Sequence, residues 1–355
     1  MSKKVIAVLF GGRSSEHEIS KISASTIMQN INPDKYTIIP IYITKDGRWL
    51  LYDGPIENIA KGSWEKFAAT AILSPDSSQK GILRIVGDKV KLIPVDLIFP
   101  VLHGLNGEDG TIQGLFELTG IPYVGCGVLS SAVSMNKAYT KIIVDTLGID
   151  QAKYTVVYRN ELEENIEECI DKVESICGYP CFVKPACAGS SVGITKAHNR
   201  DELVDGLWTA SKEDRTIVIE ENITGAELEC AVLGNRDVKA SAVGQILAAA
   251  EFYDYDAKYN NKDSRTVIPA PIPPEKAEEI REKAVRIFKA LDGMGLSRVD
   301  FFMEEGTNRI IFNEINTLPG FTSISMYPML FAELGIPVEE LVDKLIELGL
   351  SRYED

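Results

Sequence analysis

Several things the chain lacks narrow what it can be. None of Cys126, Cys169, Cys177, Cys181, Cys187 and Cys230 forms a C-x-x-C pair, and no histidine stands at zinc-ligand spacing from them. A zinc ribbon or finger is thereby disfavoured, and free thiols in a reducing compartment are the expectation. No apolar run approaches ~20 residues, so no membrane-spanning helix is expected. Val5–Phe10 ends at Gly11-Gly12 and is too short for a signal-peptide core. A soluble, cytoplasmic protein without a membrane partner follows as the expectation. Positive charge is scarce: 37 Lys and Arg face 52 Asp and Glu, a net charge of −15. A nucleic-acid binder needs a basic face, and this balance argues against one. The dinucleotide pattern G-x-G-x-x-G is absent, which disfavours a dehydrogenase, and so is the Walker A pattern.

What is present is an ordinary globular balance, 45% hydrophobic and 25% charged. A chain of 355 residues is expected to divide into two or three domains. Residues 3–10 read as a buried parallel-type strand. Gly11-Gly12-Arg13-Ser14-Ser15-Glu16-His17-Glu18 follows as a loop, and Ile19, Ile22 and Ile27 continue at roughly helical spacing to Asn30. Strand, glycine loop and helix open a doubly wound unit, whose ligands sit at the carboxyl ends of the strands. A carboxylate on that loop repels a pyrophosphate and suits a cation such as an amino-acid ammonium, making Glu16 a candidate. Glu18 reads as a first-turn residue favoured by the helix dipole. Residues 36–42 predict a second strand, and residues 47–50 the start of a hairpin-like excursion. Residues 53–90 read as polar and irregular. Residues 95–101 predict another buried strand, ending in the glycine loop His103-Gly104-Leu105-Asn106-Gly107-Glu108-Asp109-Gly110. His103 at that loop's mouth is a candidate with a titration range near neutrality.

In the middle of the chain, Lys137 opens a predicted helix over 137–147, where a cation is unfavourable unless an anion lies nearby. Lys184 ends an apolar strand, where an unpaired ammonium is costly. Residues 186–194, ACAGSSVGI, form a small-residue loop able to fold its backbone over phosphates. Residues 160–175 predict an acidic solvated helix, and residues 273–291 an amphipathic one. Residues 216–221 and 225–233 predict two strands carrying acids. The aromatic stretch 252–259 leads into a polar run over 260–265 with the character of a closing loop.

Residues 299–328 hold the densest chemistry. Val299–Met303 and Arg309–Ile315 predict two strands joined by a turn containing Gly306 and Asn308. Residues two apart on a strand share a face, so Glu314 and Asn316 point together, within reach of Asp300 on the neighbouring strand. Three hard oxygen ligands in an apolar frame suit Mg²⁺. Leu318-Pro319-Gly320-Phe321-Thr322 then makes a rigid turn beside them.

With these segments together the chain resembles the D-alanine–D-alanine ligase family of the ATP-grasp fold. The matching stretches are GGRSSEHEIS, HGLNGEDG, MNK, VKPACAGSSVGI, IEENITGAELE, FYDYDAKY, SRVDFF and FNEINTLPGFTSISMYP, which span nearly the whole chain. The resemblance implies a three-domain α/β ATP-grasp ligase with an N-terminal doubly wound, Rossmann-like domain. Its domains would cover 1–125 (substrate binding), 126–219 (central ATP-grasp) and 220–355 (metal and acceptor sites). It implies ATP-dependent joining of two D-alanines through an acyl phosphate, for peptidoglycan precursors, in a cytoplasmic homodimer using two Mg²⁺ or Mn²⁺.

Residue by residue, the resemblance assigns Glu16 to the first ammonium, with His103 near that substrate. Ser190 and Tyr259 would join Glu16 in a triad that ties down the lid loop. Lys137 and Lys184 would hold ATP phosphates, and Lys258 the γ-phosphate. Glu220 and the backbone around Ile223 would meet adenine, and Glu227 the ribose. Asp300, Glu314 and Asn316 would bind the metals, while Arg298 and the Gly320 N–H would face the tetrahedral oxyanion. Ser325 and the Met326 N–H would hold the acceptor carboxylate. Ala188 stands where many members have Glu, and D-Ala-D-Ser ligases often carry a small residue there. Those relatives tend to have Arg where this chain has Met326, and an apolar Met beside the acceptor favours a methyl side chain. D-Ala-D-Ala and D-Ala-D-Ser synthesis therefore both stand as readings, with a non-catalytic ATP-binding sensor as a third. Lys258-Tyr259 sets the chain apart from the lactate-using relatives, which disfavours a depsipeptide product.

Overall fold

The computed structural model describes residues 3–61, 69–189, 192–247 and 265–354. Its frame is three β-sheets with helices packed on them, the mixed α/β architecture that the sequence leads one to expect.

The first sheet is built around β1 (Lys4–Gly11), whose residues from Ile6 onward are all buried. It lies parallel to both β2 (Tyr36–Ile43) and β7 (Leu97–Val101), and α1 (His17–Asn30) connects β1 to β2. This parallel trio is buried on both faces, which explains its unbroken apolar runs. At its carboxyl end Gly11 has φ +92°, and a Cβ there would lie 2.3 Å from the Ile43 carbonyl oxygen, so the turn requires glycine. The α1 face buries Ile19, Ala24, Ile27 and Met28 with several serines, whereas Ile22 is exposed. Small hydroxyls pack at positions that a purely apolar count misses.

The sheet does not stop at the parallel strands. Four more strands extend it antiparallel in the order β6-β5-β4-β3-β2: β3 (Trp49–Leu51), β4 (Ala69–Leu73), β5 (Gly81–Val86) and β6 (Lys89–Pro94). This corrects the expectation that residues 53–90 are irregular. The outer strands are half exposed and carry Lys89, Lys91 and Arg84 among their apolar residues, a composition suited to a sheet edge and easily read as loop.

Three helices follow: α2 (Thr111–Thr119), α3 (Val128–Met135) and α4 (Lys137–Thr146). The second sheet runs β10-β9-β11-β8, with β8 (Tyr154–Tyr158), β9 (Cys181–Pro185), β10 (Thr195–Ala197) and β11 (Thr216–Glu221), all antiparallel. Helices α5 (Arg159–Ile176) and α6 (Arg200–Glu213) cover it through Leu162, Ile170, Val173, Leu203 and Leu207. The α5 helix is acidic on its outer side, as expected, yet it buries one apolar stripe.

The third sheet runs β14-β13-β12-β15-β16, with β12 (Gly225–Gly234), β13 (Lys239–Leu247), β14 (Arg265–Val267), β15 (Gly295–Glu304) and β16 (Ile310–Asn316). Helix α7 (Pro274–Ala290) packs on it through Ile280, Ala284, Ile287 and Phe288. Helices α8 (Met326–Ala332) and α9 (Val338–Leu350) place Tyr327, Leu330, Leu341 and Leu345 in one core with Phe10, Ile27 and Phe99 of the first sheet layer. That shared core fixes the last sheet against the carboxyl ends of β1 and β7, where the site forms.

Candidate active site

A cavity of about 550 Å³ opens where the three sheets meet, of a size for a nucleotide-scale ligand. From the first sheet it is lined by Glu16, His103, Gly104 and Glu108. Lys137, Lys184, Ala188, Glu220 and Ile223 come from the middle of the chain. Glu227, Arg298, Glu314, Asn316 and the turn Leu318–Gly320 complete it. Most residues singled out from the sequence therefore gather at one place. Ser190, Lys258 and Tyr259 lie outside the described residues.

Glu16 stands at the start of α1, its backbone N–H donating to Ser14 Oγ at 2.9 Å. Its loop is pinned by His17, whose Nδ1–H donates to the Gly12 carbonyl (2.7 Å) while Nε2 accepts from the Tyr42 hydroxyl (2.9 Å). His103 is buried, and its Nδ1 meets the Leu318 carbonyl at 2.9 Å, which makes Nδ1 the donor. A neutral ring then accepts at Nε2 from Ser23 Oγ, 3.3 Å away. Burial holds the His103 pKa below its ordinary value, against the pull of Glu16 and of the Leu318 carbonyl. Ser23 Oγ in turn accepts the Phe321 N–H at 3.1 Å. The turn that carries Gly320 is thus held by α1 and the loop after β7.

Glu108 was not among the residues singled out. It takes the Gly104 N–H at 3.0 Å. Burial first, and the nearby Glu16 second, push its pKa up to about 8. Only the fold reveals this, because the two carboxylates are 92 residues apart in sequence and meet across adjacent loops.

On the cavity's middle-of-chain side, Lys137 is the first residue of α4. Asn136 caps that helix by accepting from the Ala138 and Tyr139 N–H groups. Lys137 Nζ donates to the Ala188 carbonyl at 2.8 Å, and burial lowers its pKa, with Glu314 opposing. Lys184 Nζ donates to Glu220 Oε2 at 2.8 Å. Burial works to lower the Lys184 pKa, and Glu220 more than offsets it, so the net shift is upward. The other oxygen, Glu220 Oε1, lies 3.2 Å from Lys141 Nζ. Burial alone would raise the Glu220 pKa, but the two lysines hold it down at about 2. Both oxygens of Glu220 already face ammonium groups, so it acts first as the anchor of Lys184. Lys141 was also missed; its spacing of four from Lys137 on one helix was the available signal.

In the β15–β16 hairpin, Arg298 pairs with Asn316 and Asp300 with Glu314, as the two-residue period requires. A bulge follows Asp300. Arg298 grips Asp300 with Nε to Oδ1 at 2.8 Å and Nη2 to Oδ2 at 2.7 Å, and Asn316 Nδ2 donates to Oδ2 at 3.1 Å. Glu314 and Asn316 line the cavity, while Asp300 sits behind Arg298 at 2% exposure. Among the described residues no three His, Cys, Asp or Glu side chains form a ready metal cage. Two carboxylates and an amide fit Mg²⁺, which completes its shell from phosphates and water.

Ser325 caps the turn, its Oγ accepting the Thr322 N–H at 2.9 Å. It is not part of the cavity wall, and neither is Met326. The Met326 side chain is 4% exposed and belongs to the core with Leu330 and Tyr327. A Cβ on Gly244 would lie 2.3 Å from its Cε. An apolar side chain at the start of α8 is drawn into the core beneath the turn.

Enzymes of the ATP-grasp class, which couple ATP to joining a carboxylate and an amine, are built on this frame. Family models described as the N-terminus and the C-terminus of D-ala D-ala ligase match residues 5–126 and 143–347. The chain is 55% identical to a D-alanine–D-alanine ligase of Ruminiclostridium cellulolyticum, covering 100% of this chain and 97% of that protein. It is 53% identical to that of Acetivibrio thermocellus, covering 99% and 97%. Among solved structures, the VanG D-Ala:D-Ser ligase from Enterococcus faecalis superposes with a TM-score of 0.90 at 43% identity, covering 98% of this chain and 99% of that one. The D-alanine–D-alanine ligase from Coxiella burnetii superposes at 0.84 with 33% identity, covering 100% and 96%. The chain belongs to the D-alanine–D-alanine ligase family.

Proposed function

We propose that this enzyme joins two D-alanines into D-alanyl-D-alanine, with ATP converted to ADP and phosphate, to supply peptidoglycan synthesis. The observation that carries the reading is the single cavity in which Glu16 and His103 face Arg298, Glu314 and Gly320, with Lys137 and Lys184 beside them. In the first step a carboxylate oxygen of one D-alanine attacks the γ-phosphorus, and the bond to ADP breaks. In the second, the amine of the other D-alanine attacks the acyl carbon, the bond to phosphate breaks, and the amine loses a proton.

The chain's own groups fit these steps. Glu16 balances the first ammonium. Lys137 and Lys184 meet phosphate charge, the second held in place by Glu220. Ile223 and Glu227 border the nucleoside end. Arg298 and the Gly320 N–H face the carbon where the oxyanion develops, the kind of stabilisation that carries most of such catalysis. Asp300, Glu314 and Asn316 would hold two Mg²⁺, or Mn²⁺, whose charge neutralises the transferring phosphates. Ser190, Tyr259 and Lys258 are assigned to the lid by motif alone, and Ser325 with the Met326 N–H to the acceptor carboxylate. Three domains near 1–125, 126–219 and 220–355, a homodimer and a cytoplasmic location complete the proposal. Among the described residues no helix is long and apolar enough to cross a membrane.

A second reading, D-serine as acceptor, is favoured by Ala188 in the cavity wall and by the likeness to a D-Ala:D-Ser ligase. Phosphate release from ATP with D-alanine, D-serine and D-lactate as competing acceptors separates the readings. A higher kcat/KM for D-serine replaces the first with the second. Absence of any D-alanine-dependent phosphate release removes both and restores a non-catalytic nucleotide binder.

A further inference from the structure

Arg298 and Asp300 stand two residues apart on one face of β15, and the guanidinium closes on both oxygens of that carboxylate. Both groups are wanted elsewhere in the reaction proposed above. Arg298 lines the cavity, whereas Asp300 does not. A divalent cation on Asp300 takes the lone pair left on Oδ1 or displaces a guanidinium N–H, and either way it draws the carboxylate's charge away from Arg298. Arg298 would then carry a charge in a largely enclosed place with its bidentate partner weakened, which is unfavourable. The guanidinium would also be free to turn away from the point where the oxyanion forms.

Glu229 resolves this. It lies opposite Asp300 in the β12–β15 register. Its Oε2 is 3.0 Å from Arg298 Nε, and the residue is 4% exposed. It shares its strand face with Glu227, yet it stands behind Arg298 and not in the cavity wall. We propose that Glu229 is a positioning residue, the permanent counter-ion that keeps Arg298 in place while Asp300 gives its charge to the divalent cation. The inference rests on the reading of Asp300 as a metal ligand. A second buried carboxylate beside the guanidinium holds it when the charge of the first is drawn to a metal.

The test is metal affinity, read without turnover. Mn²⁺ binding is followed by electron paramagnetic resonance in the presence of ADP for the wild type, Glu229→Gln and Glu229→Asp. With Gln, Asp300 remains the carboxylate that grips Arg298 among the described residues, and the metal competes against a tighter grip. Mn²⁺ affinity is expected to fall about 10- to 100-fold, as is typical when a supporting group behind a metal site is removed. Binding of ADP without metal is expected to be unchanged, and Glu229→Asp to fall between the two. Equal Mn²⁺ affinity in wild type and Glu229→Gln overturns the inference. No Mn²⁺ binding by the wild type overturns the metal reading beneath it. Should Glu229→Gln fail to fold, the wild type still decides: the Arg298 Nε–H, followed by ¹⁵N spectroscopy, is expected to stay protected from exchange after Mg²⁺ and ADP are added. Loss of that protection overturns the proposal.

Discussion

Lys141 and Glu220 meet at 3.2 Å deep inside the chain, at 1% and 5% exposure, with Lys184 on the other carboxylate oxygen. One carboxylate therefore neutralises two lysines drawn from α4 and β9. Glu220→Gln leaves two buried ammonium groups uncompensated and is expected to cost about 3–5 kcal/mol. Lys141→Met leaves the Glu220–Lys184 pair intact and is expected to cost less, roughly 0.5–3 kcal/mol. Urea unfolding of the two variants decides it; equal losses would show that Glu220 is not the hub.

The same carboxylate makes an acid-labile contribution. Its folded pKa of about 2 lies below its ordinary 4.5. The folded state thus binds its proton more weakly than the unfolded chain. Stability from Glu220 is complete above about pH 4.5 and is lost as pH falls toward 2. Unfolding midpoints measured down this range are expected to fall less steeply in Glu220→Gln than in the wild type.

Glu108 works in the opposite direction. Its pKa is raised from 4.5 to about 8, so its contribution to stability is complete at low pH and is lost as pH rises through that interval. Glu108→Gln keeps an acceptor for the Gly104 N–H and cannot ionise. It is expected to match the wild type near pH 4.5 and to be the more stable near pH 8, as thermal unfolding at the two pH values would show. A wild-type advantage at the higher pH would place the ionised carboxylate in a favourable setting after all.

Gly320 has room for nothing larger. A Cβ would lie 2.9 Å from Ser325 Oγ, which is held by both the Thr322 N–H and the Thr322 hydroxyl. Gly320→Ala is expected to displace the turn and lower kcat by roughly 100-fold, the scale of a 1 Å misplacement. ADP affinity, which the proposed assignment places mainly on lysines of other elements, is expected to hold. Steady-state kinetics with equilibrium ADP binding check both halves.

Ser23 joins the two ends of the site, since its hydroxyl meets both His103 Nε2 and the Phe321 N–H. Ser23→Ala leaves a buried N–H without its acceptor, a loss of about 1–3 kcal/mol. It also frees the turn beside Gly320. A raised KM for D-alanine together with a lower unfolding midpoint is the expected signature; lower stability with unchanged kinetics would reduce Ser23 to a packing role.

Much was legible in the sequence because it is local. The buried strand before Gly11-Gly12, the start of α4 at Lys137 and the shared face of Glu314 and Asn316 follow from strand and helix periods and turn chemistry alone. The antiparallel strands β4–β6 were not legible, because half-exposed edge strands carry the charges of a loop. Motif order also pointed to the family, and with it the chemistry of ATP, carboxylate and amine. What only the tertiary structure decided is which charges oppose which. Lys141 with Glu220, Glu229 with Arg298, and Glu108 beside Glu16 lie on separate elements. Electrostatic energy depends on distance and burial through space, and neither is encoded in any one stretch of chain. The same reason sends the Met326 side chain into the core. Several residues of the site were visible one at a time, while Glu108 and Lys141 were not; the pairing, and hence how each is held, belongs to the fold.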